Sequence, residues 1–281
     1  MRLRPITTLL AAGTALCAMP ALAQEAPAEN VLDGDYLTVG AGAVYVPSYR
    51  GSDDYVLSPV PLVKGRFKGI DINPRVAGVA LDLVPDAKDA KVGFSLGPVA
   101  TYSANRAGRI KDPVVRAAGK LDPAIDVGFT AGVTGYKLLN DYDALTLSAD
   151  VKWDVNGAHK GMTVNPAISY ATPLSPALVA VVAVSARHVD GKFGRYYYSV
   201  TPEQSVASSL PVYRGKSGWD SVNTSLLLAY DLSGDVRDGG FSLFGAANYS
   251  RMLNDAKDTP YTSLRGDANQ WVIGGGVAYT F

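Results

Sequence analysis

Apolar and polar residues alternate with a period of two along most of the chain, and the segment 271–281 shows the pattern most clearly. Trp271, Ile273, Val277, Tyr279 and Phe281 fall on one face of this segment, and small or polar residues fall on the other. Period two is typical of a β-strand with different surroundings on its two faces. Trp271 and Tyr279 lie roughly 26 Å apart at ~3.3 Å per residue, which suits a tilted strand with a ring near each edge of a ~25 Å apolar membrane band.

Many further segments repeat this alternation, and 125–134 and 145–154 are the clearest of them. The sequence therefore predicts an all-β protein, a transmembrane antiparallel up-and-down β-barrel of about twelve strands, or ten if a short hairpin around Asn73-Pro74 does not form. A soluble antiparallel sandwich is the alternative, but it accounts poorly for the terminal Phe281 and for the lengths of the connections. The predicted strands lie near 36–45, 60–67, 69–73, 76–84, 92–103, 125–134, 145–154, 162–170, 177–188, 221–232, 240–252 and 271–281.

Short and long connections alternate between these strands, as they do between the periplasmic turns and outer loops of membrane barrels. The short ones include 140–141, 172–176 and 233–239, and the long ones include 105–122 and 190–218. We expect the long connections to lie outside the cell, with a strand extension at 196–200.

Residues 1–23 have the features of a secretory signal peptide. Arg2 and Arg4 precede an apolar run, and Ala21-Leu22-Ala23 forms a cleavage site. We therefore expect cleavage near Ala23, a short periplasmic leader at 24–34, and a barrel at 35–281 in the outer membrane of a Gram-negative cell. The one cysteine, Cys17, lies in the segment to be removed, so disulfide and thiol chemistry are excluded from the mature chain.

Charge and motifs argue against several function classes. The chain has 26 Lys+Arg and 26 Asp+Glu, and loss of Arg2 and Arg4 leaves a slight negative balance, so a nucleic-acid partner is not indicated. His159 and His188 belong to no local serine-hydrolase motif. The acidic loops lack the spacing of calcium-binding motifs. We therefore predict a non-enzymatic protein without a metal or other cofactor.

Two groups of residues are candidates for a site. Lys64, Arg66 and Lys68 recur at period two on a predicted strand. They form either a pore wall for anionic solutes or, as we favour, partners for the interior carboxylates Asp126, Asp150 and Asp154. The run 196–198 contains three tyrosines, which suit sugar binding or, as we favour, a membrane-interface girdle.

The segment 44–55, Val-Tyr-Val-Pro-Ser-Tyr-Arg-Gly-Ser-Asp-Asp-Tyr, followed by Pro59-Val60-Pro61, resembles the first strand and loop of the MipA/OmpV family of MltA-interacting outer-membrane proteins. Further similarity lies at 121–126, 196–200, 210–213 and 249–255, and at Phe281. The residues that carry the loop motif are Tyr45, Pro47, Tyr49, Gly51, Ser52 and Asp53. The ending with Trp271, Tyr279 and Phe281 resembles the terminal strand by which bacterial outer-membrane barrels are recognised for insertion.

The resemblance implies a scaffold role for murein-remodelling machinery, with a lytic transglycosylase and a murein synthase as partners. It brings no catalytic residues. We expect a monomeric barrel that contacts outer-membrane lipid and lipopolysaccharide. A small-solute channel (porin) or a surface adhesin remains the alternative.

Overall fold

The computed structural model describes residues 30–87 and 89–281. The expected signal peptide and residues 24–29 of the leader lie outside the described residues. Within them, twelve antiparallel strands close into one barrel, in which each strand pairs with its neighbours in the chain and β1 pairs with β12. The strands are β1 (Tyr36–Pro47), β2 (Tyr55–Phe67), β3 (Ile70–Arg75), β4 (Gly78–Asp82), β5 (Val92–Ser103), β6 (Ala124–Tyr136), β7 (Ala144–Asp154), β8 (Met162–Ser175), β9 (Leu178–Val189), β10 (Gly218–Asp231), β11 (Gly240–Met252) and β12 (Asn269–Thr280).

The fold class is confirmed. The short hairpin that was predicted around Asn73-Pro74 forms and consists of β3 and β4. Alternation decides which face each strand turns to the bilayer. Phe129 and Leu147 face outward and are 64% and 57% exposed, whereas the inward residues Thr130 and Asp150 are buried. Exposed aromatic residues gather near both ends of the strands, as in membrane barrels. Those near the long loops are Tyr45, Tyr102, Trp153, Trp219 and Trp271, and those near the short turns are Phe67, Tyr230, Phe241 and Phe281.

Glycine allows the first and last strands to approach closely where the barrel closes. Gly42 pairs with Gly276, and a Cβ on Gly42 would lie 2.4 Å from the Gly275 carbonyl oxygen. At the periplasmic end of β12, Tyr279 packs edge-to-face against Phe241 and Phe281, with ring centroids 4.8 and 4.6 Å apart. The aromatic ending of the chain therefore anchors the closing strand.

The helices lie at the two ends of the barrel. A 3-10 helix at Val31–Asp33 precedes β1. The α-helices all lie in the long loops: α1 (Pro113–Ala117), α2 (Gly191–Tyr198), α3 (Pro202–Ser208), α4 (Asn254–Asp258) and α5 (Pro260–Ser263). No helix in the described part of the chain is long and apolar enough to cross a membrane. The predicted strand extension at 196–200 is wrong because the Asp190 side chain accepts hydrogen bonds from the N–H groups of Lys192 and Phe193 and so starts α2.

Candidate functional site

Four loops, 48–54, 104–123, 190–217 and 253–268, pack together over the outer mouth of the barrel and are called the cap below. Each contributes apolar side chains to a shared core instead of projecting separately. One cluster draws on all four loops and contains Tyr49, Ile110, Val115, Ala118, Val200, Leu210 and Tyr261. The second joins α2 and α4 to strand ends and contains Val189, Phe193, Tyr197, Tyr198, Met252 and Ala256.

The cap spans the mouth from side to side. The loops 104–123 and 253–268 arise half a ring apart in the strand order, so a contact between them crosses the opening. Arg265 donates from Nη2 and Nε to Asp112 Oδ2 at 2.7 and 3.0 Å. The Arg106 guanidinium lies 3.8 Å from the centroid of the Tyr261 ring, and Arg106 is 2% exposed.

Asp112 has two tasks in the cap, because it also accepts the Val115 N–H and so caps α1. Burial raises the pKa of Asp112, but the hydrogen bonds from Arg265 and the Val115 N–H outweigh burial and hold the pKa below its ordinary value. Asp112 is therefore a carboxylate at neutral pH, and its charge helps to hold the cap together.

The loop that carries the family motif docks the start of the chain onto its end. The Tyr49 hydroxyl donates to the carbonyl oxygens of Tyr261 and Arg265 at 3.1 and 2.9 Å. Gly51 has φ +94°, and a Cβ there would lie 2.2 Å from Thr262 Oγ1, so glycine is required on both counts. Ser52 forms a β-bridge with Gly266. Tyr49, Gly51 and Ser52 therefore hold this part of the cap together.

A buried charge cluster lies just below the cap. Asp220, 2% exposed, accepts hydrogen bonds from Arg187 at 2.6 Å and from the Tyr198 hydroxyl, and Arg50 Nη2 lies 3.7 Å away. Burial and the Asp220 carboxylate raise the pKa of Tyr198 above its ordinary value, so this phenol stays protonated. The girdle interpretation of residues 196–198 is wrong, because Tyr197 and Tyr198 are buried in the cap.

His159 is buried, and both of its ring nitrogens are occupied. Nδ1 accepts the Gly161 N–H at 3.0 Å, so Nε2 carries the hydrogen that is shared with Asp126 Oδ1 at 2.8 Å. Phe193 packs edge-on against the ring at 4.9 Å. This arrangement fixes the loop 155–161 and leaves no ring nitrogen free to activate a nucleophile.

The predicted basic row is divided in the structure. Lys64 and Arg66 face the lumen near its periplasmic end. Arg66 donates from Nε and Nη2 to the two carboxylate oxygens of Asp71, at 2.7 and 3.2 Å. Lys68 lies in the turn after β2, where its Nζ is 5.2 Å from the Phe67 ring centroid. Lys64 has no ion pair with any described residue.

The predicted pairing of this row with Asp126, Asp150 and Asp154 is wrong. The β3–β4 hairpin places Asp71 beside Arg66, and its Arg75 reaches across the lumen to Asp150 at 2.9 Å. Asp154 instead accepts main-chain N–H groups of the following loop. Arg75 was missed because only tertiary structure brings this hairpin residue opposite β7.

The periplasmic end carries a connected surface formed by residues 30–34, 137–143, 172–177 and 232–239, called the periplasmic platform below. Hydrogen bonds join its parts in series. Val31 N donates to Arg237 O at 2.8 Å, and Val236 N donates to Pro176 O at 3.0 Å. Asn140 Nδ2 donates to Thr172 Oγ1 at 3.0 Å.

Apolar side chains are exposed on this platform. Leu139, Tyr142 and Leu174 are 83%, 72% and 61% exposed. The turn that carries the first two is rigid, because the buried Asp143 accepts the N–H groups of Leu138 and Leu139 at 2.7 and 2.8 Å. Leu139, Tyr142 and Leu174 are therefore candidates for contact with another protein.

The family model of MltA-interacting protein MipA matches residues 39–281. The chain belongs to this family. The barrel, with its apolar outer face and aromatic girdles, places this family member in an outer membrane. No curated protein matches the sequence.

Solved structures of outer-membrane proteins are similar to this family member over most of its length. A COG4313 outer-membrane channel from Pseudomonas putida F1 is 13% identical, with 88% of this chain and 96% of that chain covered and a TM-score of 0.46. OmpT of Vibrio cholerae is 9% identical, with 88% and 97% covered and a TM-score of 0.38. OprD from Pseudomonas aeruginosa is 13% identical, with 87% and 65% covered and a TM-score of 0.34.

Proposed function

We propose that this protein is a non-enzymatic docking protein of the outer membrane that binds a murein-remodelling enzyme through its periplasmic platform. The family is named for interaction with MltA, a lytic transglycosylase, and murein lies on the periplasmic side. The observation that carries the proposal is the platform itself, which faces the murein side. Its short turns are joined by hydrogen bonds, and they leave Leu139 and Tyr142 exposed.

Crosslinking in living cells tests the proposal. A photoreactive residue at Ser175, which is exposed on the platform, should capture a lytic transglycosylase or a murein synthase. The matched control on the cap is Val206 of α3, which is 86% exposed. Ser208, the serine at the end of this helix, is buried and would not place a probe at the surface. Partners captured only from Val206, on host or neighbouring cells, would support the adhesin alternative and reject docking.

Substitutions sharpen this test. Leu139→Asp together with Tyr142→Asp should reduce capture from Ser175, because each removes an exposed apolar group from the contact surface. Leu264→Asp is the control, since Leu264 is 58% exposed on the cap. Equal capture by the platform variant and by the control would contradict the proposed contact.

A further inference from the structure

The strand pairing of the barrel is interrupted beside the upper half of β2. β1 pairs with β2 along its length, from Tyr55 to Arg66, whereas β3 pairs with it only from Gly65 to Phe67. Among the described residues, 55–64 therefore have no strand partner on the side away from β1. The β3–β4 hairpin turns back at Val76-Ala77 instead of continuing along β2. We call the unpaired edge of residues 55–64 the β2 window.

Three prolines, Pro59, Pro61 and Pro74, have main-chain groups that face the window. Pro59 and Pro61 pair with alanines of β1, and because proline has no N–H, these cannot be pairs that exchange two hydrogen bonds. Their main-chain groups therefore face away from β1. By the same argument Pro74, which pairs with Val79 of β4, turns its nitrogen towards β2. Continued pairing would bring Pro74 opposite Val63, so the ladder ends where the donors are missing.

The window lies at membrane depth. The stacked Tyr45 and Tyr55 rings, 5.0 Å apart, mark the outer end of β2, and the exposed Phe67 marks its periplasmic end. Leu57, 73% exposed, faces outward between them. The hairpin tip carries Val76, which is 95% exposed, where hairpins in water favour Asn and Gly. An apolar tip is suited to a hydrocarbon surrounding.

The lumen wall beside the window is smooth and apolar. The strand registers of β12, β1 and β2 place mostly small or apolar residues on the middle of this wall, with Ser58 of β2 as a polar exception. The opposite wall carries polar residues such as Thr130, Ser148 and Asn165. A mainly apolar strip with few hydrogen-bonding groups suits an extended hydrocarbon chain better than a polar solute. The strip contains Gly40, Gly42, Val44, Val60, Leu62, Gly274 and Gly276.

We propose that the lumen binds an acyl chain along the β12–β1–β2 wall, and that the chain passes between the lumen and the outer leaflet through the β2 window. This acyl chain is part of a membrane lipid or of a free fatty acid, and the two have the same hydrocarbon chemistry. Prolines at the window edge fit this role, because they remove donors that would otherwise be left unpaired in hydrocarbon.

Quenching by brominated acyl chains tests the proposal. In a Cys17→Ser background, a bimane fluorophore is attached at Val60→Cys on the apolar wall, at Ser148→Cys on the polar wall, or at the lipid-facing Leu147→Cys. In vesicles of acyl-brominated phosphatidylcholine, we expect fluorescence loss at position 60 close to that at 147, and little loss at 148. Loss at 60 no greater than at 148 would exclude bilayer lipid as the source of the acyl chain.

A second arm distinguishes the sources of the chain. Free brominated fatty acid is added to vesicles of unbrominated lipid, and quenching at 60 here assigns a free fatty acid as a ligand, whereas quenching only in the first arm assigns bilayer lipid. Either result supports acyl-chain binding, and failure of both arms rejects it.

A charge on the strip provides the matched variant. Leu62→Glu should lower the quenching at 60 because it places a carboxylate beside the hydrocarbon path, whereas Ser148→Glu on the opposite wall should not. Heat-modifiable gel migration of each variant separates this effect from failure to fold. Unchanged quenching in a folded Leu62→Glu barrel contradicts the proposal.

Discussion

Single residues hold the cap closed at places that a linear sequence does not reveal. Asp112 and Arg265 are far apart in the chain, and nothing in their neighbouring residues indicates that they meet across the barrel mouth. The motif residue Gly51 was recognised from its family pattern, but its physical reason, the contact with Thr262, required the fold.

The Asp112 carboxylate makes the closure of the cap dependent on pH. Because its folded pKa lies below the ordinary value, its stabilising effect is fully present above the unfolded pKa of about 3.9 and is lost as the pH falls through the lower folded value. We expect protease cleavage within the cap of the membrane-embedded protein to accelerate in that acid range.

Asp112→Asn should weaken the cap at neutral pH by about 1–3 kcal/mol, since it removes the charged partner of Arg265 and one oxygen acceptor. Cleavage of this variant should depend less on pH than cleavage of the native chain. Identical pH profiles for the two proteins would mean that other carboxylates control the cap.

At the scale of the strands, alternation was sufficient to predict most of the fold. Period two identified the long strands because one face meets lipid and the other meets the lumen. It could not predict that the short β3–β4 hairpin leaves β2 partly unpaired, since register and strand height arise only when the barrel closes. Helix α2 was missed because the hydrogen bonds of its N-cap residue, Asp190, outweigh the strand propensity of the three tyrosines.

The two faces of β7 provide a direct test of strand orientation. Val151 faces lipid opposite Phe129, and Thr146 faces the lumen, where its hydroxyl lies 2.9 Å from that of Thr134. Val151→Arg should destabilise the barrel by ~2–4 kcal/mol, whereas Thr146→Arg should have a smaller effect. Denaturant unfolding in vesicles measures both, and equal losses would contradict the assignment of the faces.

At the scale of the whole molecule, the two ends of the barrel are unlike. The outer end is spanned by contacts between opposite loops, and the periplasmic end carries short, hydrogen-bonded turns. The sequence predicted which connections lie at which end, because successive connections of an up-and-down barrel alternate between its two ends and the longest ones belong to one set. It gave no indication that the long loops would pack into one core, because their apolar residues lack a regular period.

A closed cap should make the native protein silent in a planar bilayer. Asp112→Asn combined with Arg265→Ala should loosen the cap and allow current. If Lys64 and Arg66 line the conducting path, that current should prefer anions and lose the preference when both become Gln. Steady anion-selective conductance of the native protein would contradict closure and favour the channel alternative.

The docking of the 48–54 loop onto the 253–268 loop also determines the stage of barrel assembly at which the cap can form. The first hairpin of the barrel supplies Tyr49, but its partners Tyr261 and Arg265 stand next to the last strand. During assembly, this contact can form only after the last loop has reached the barrel. The cap is therefore completed only when all strands are present. A barrel stalled before its last hairpin would leave Tyr49 and its apolar neighbours without the cover that Tyr261 provides.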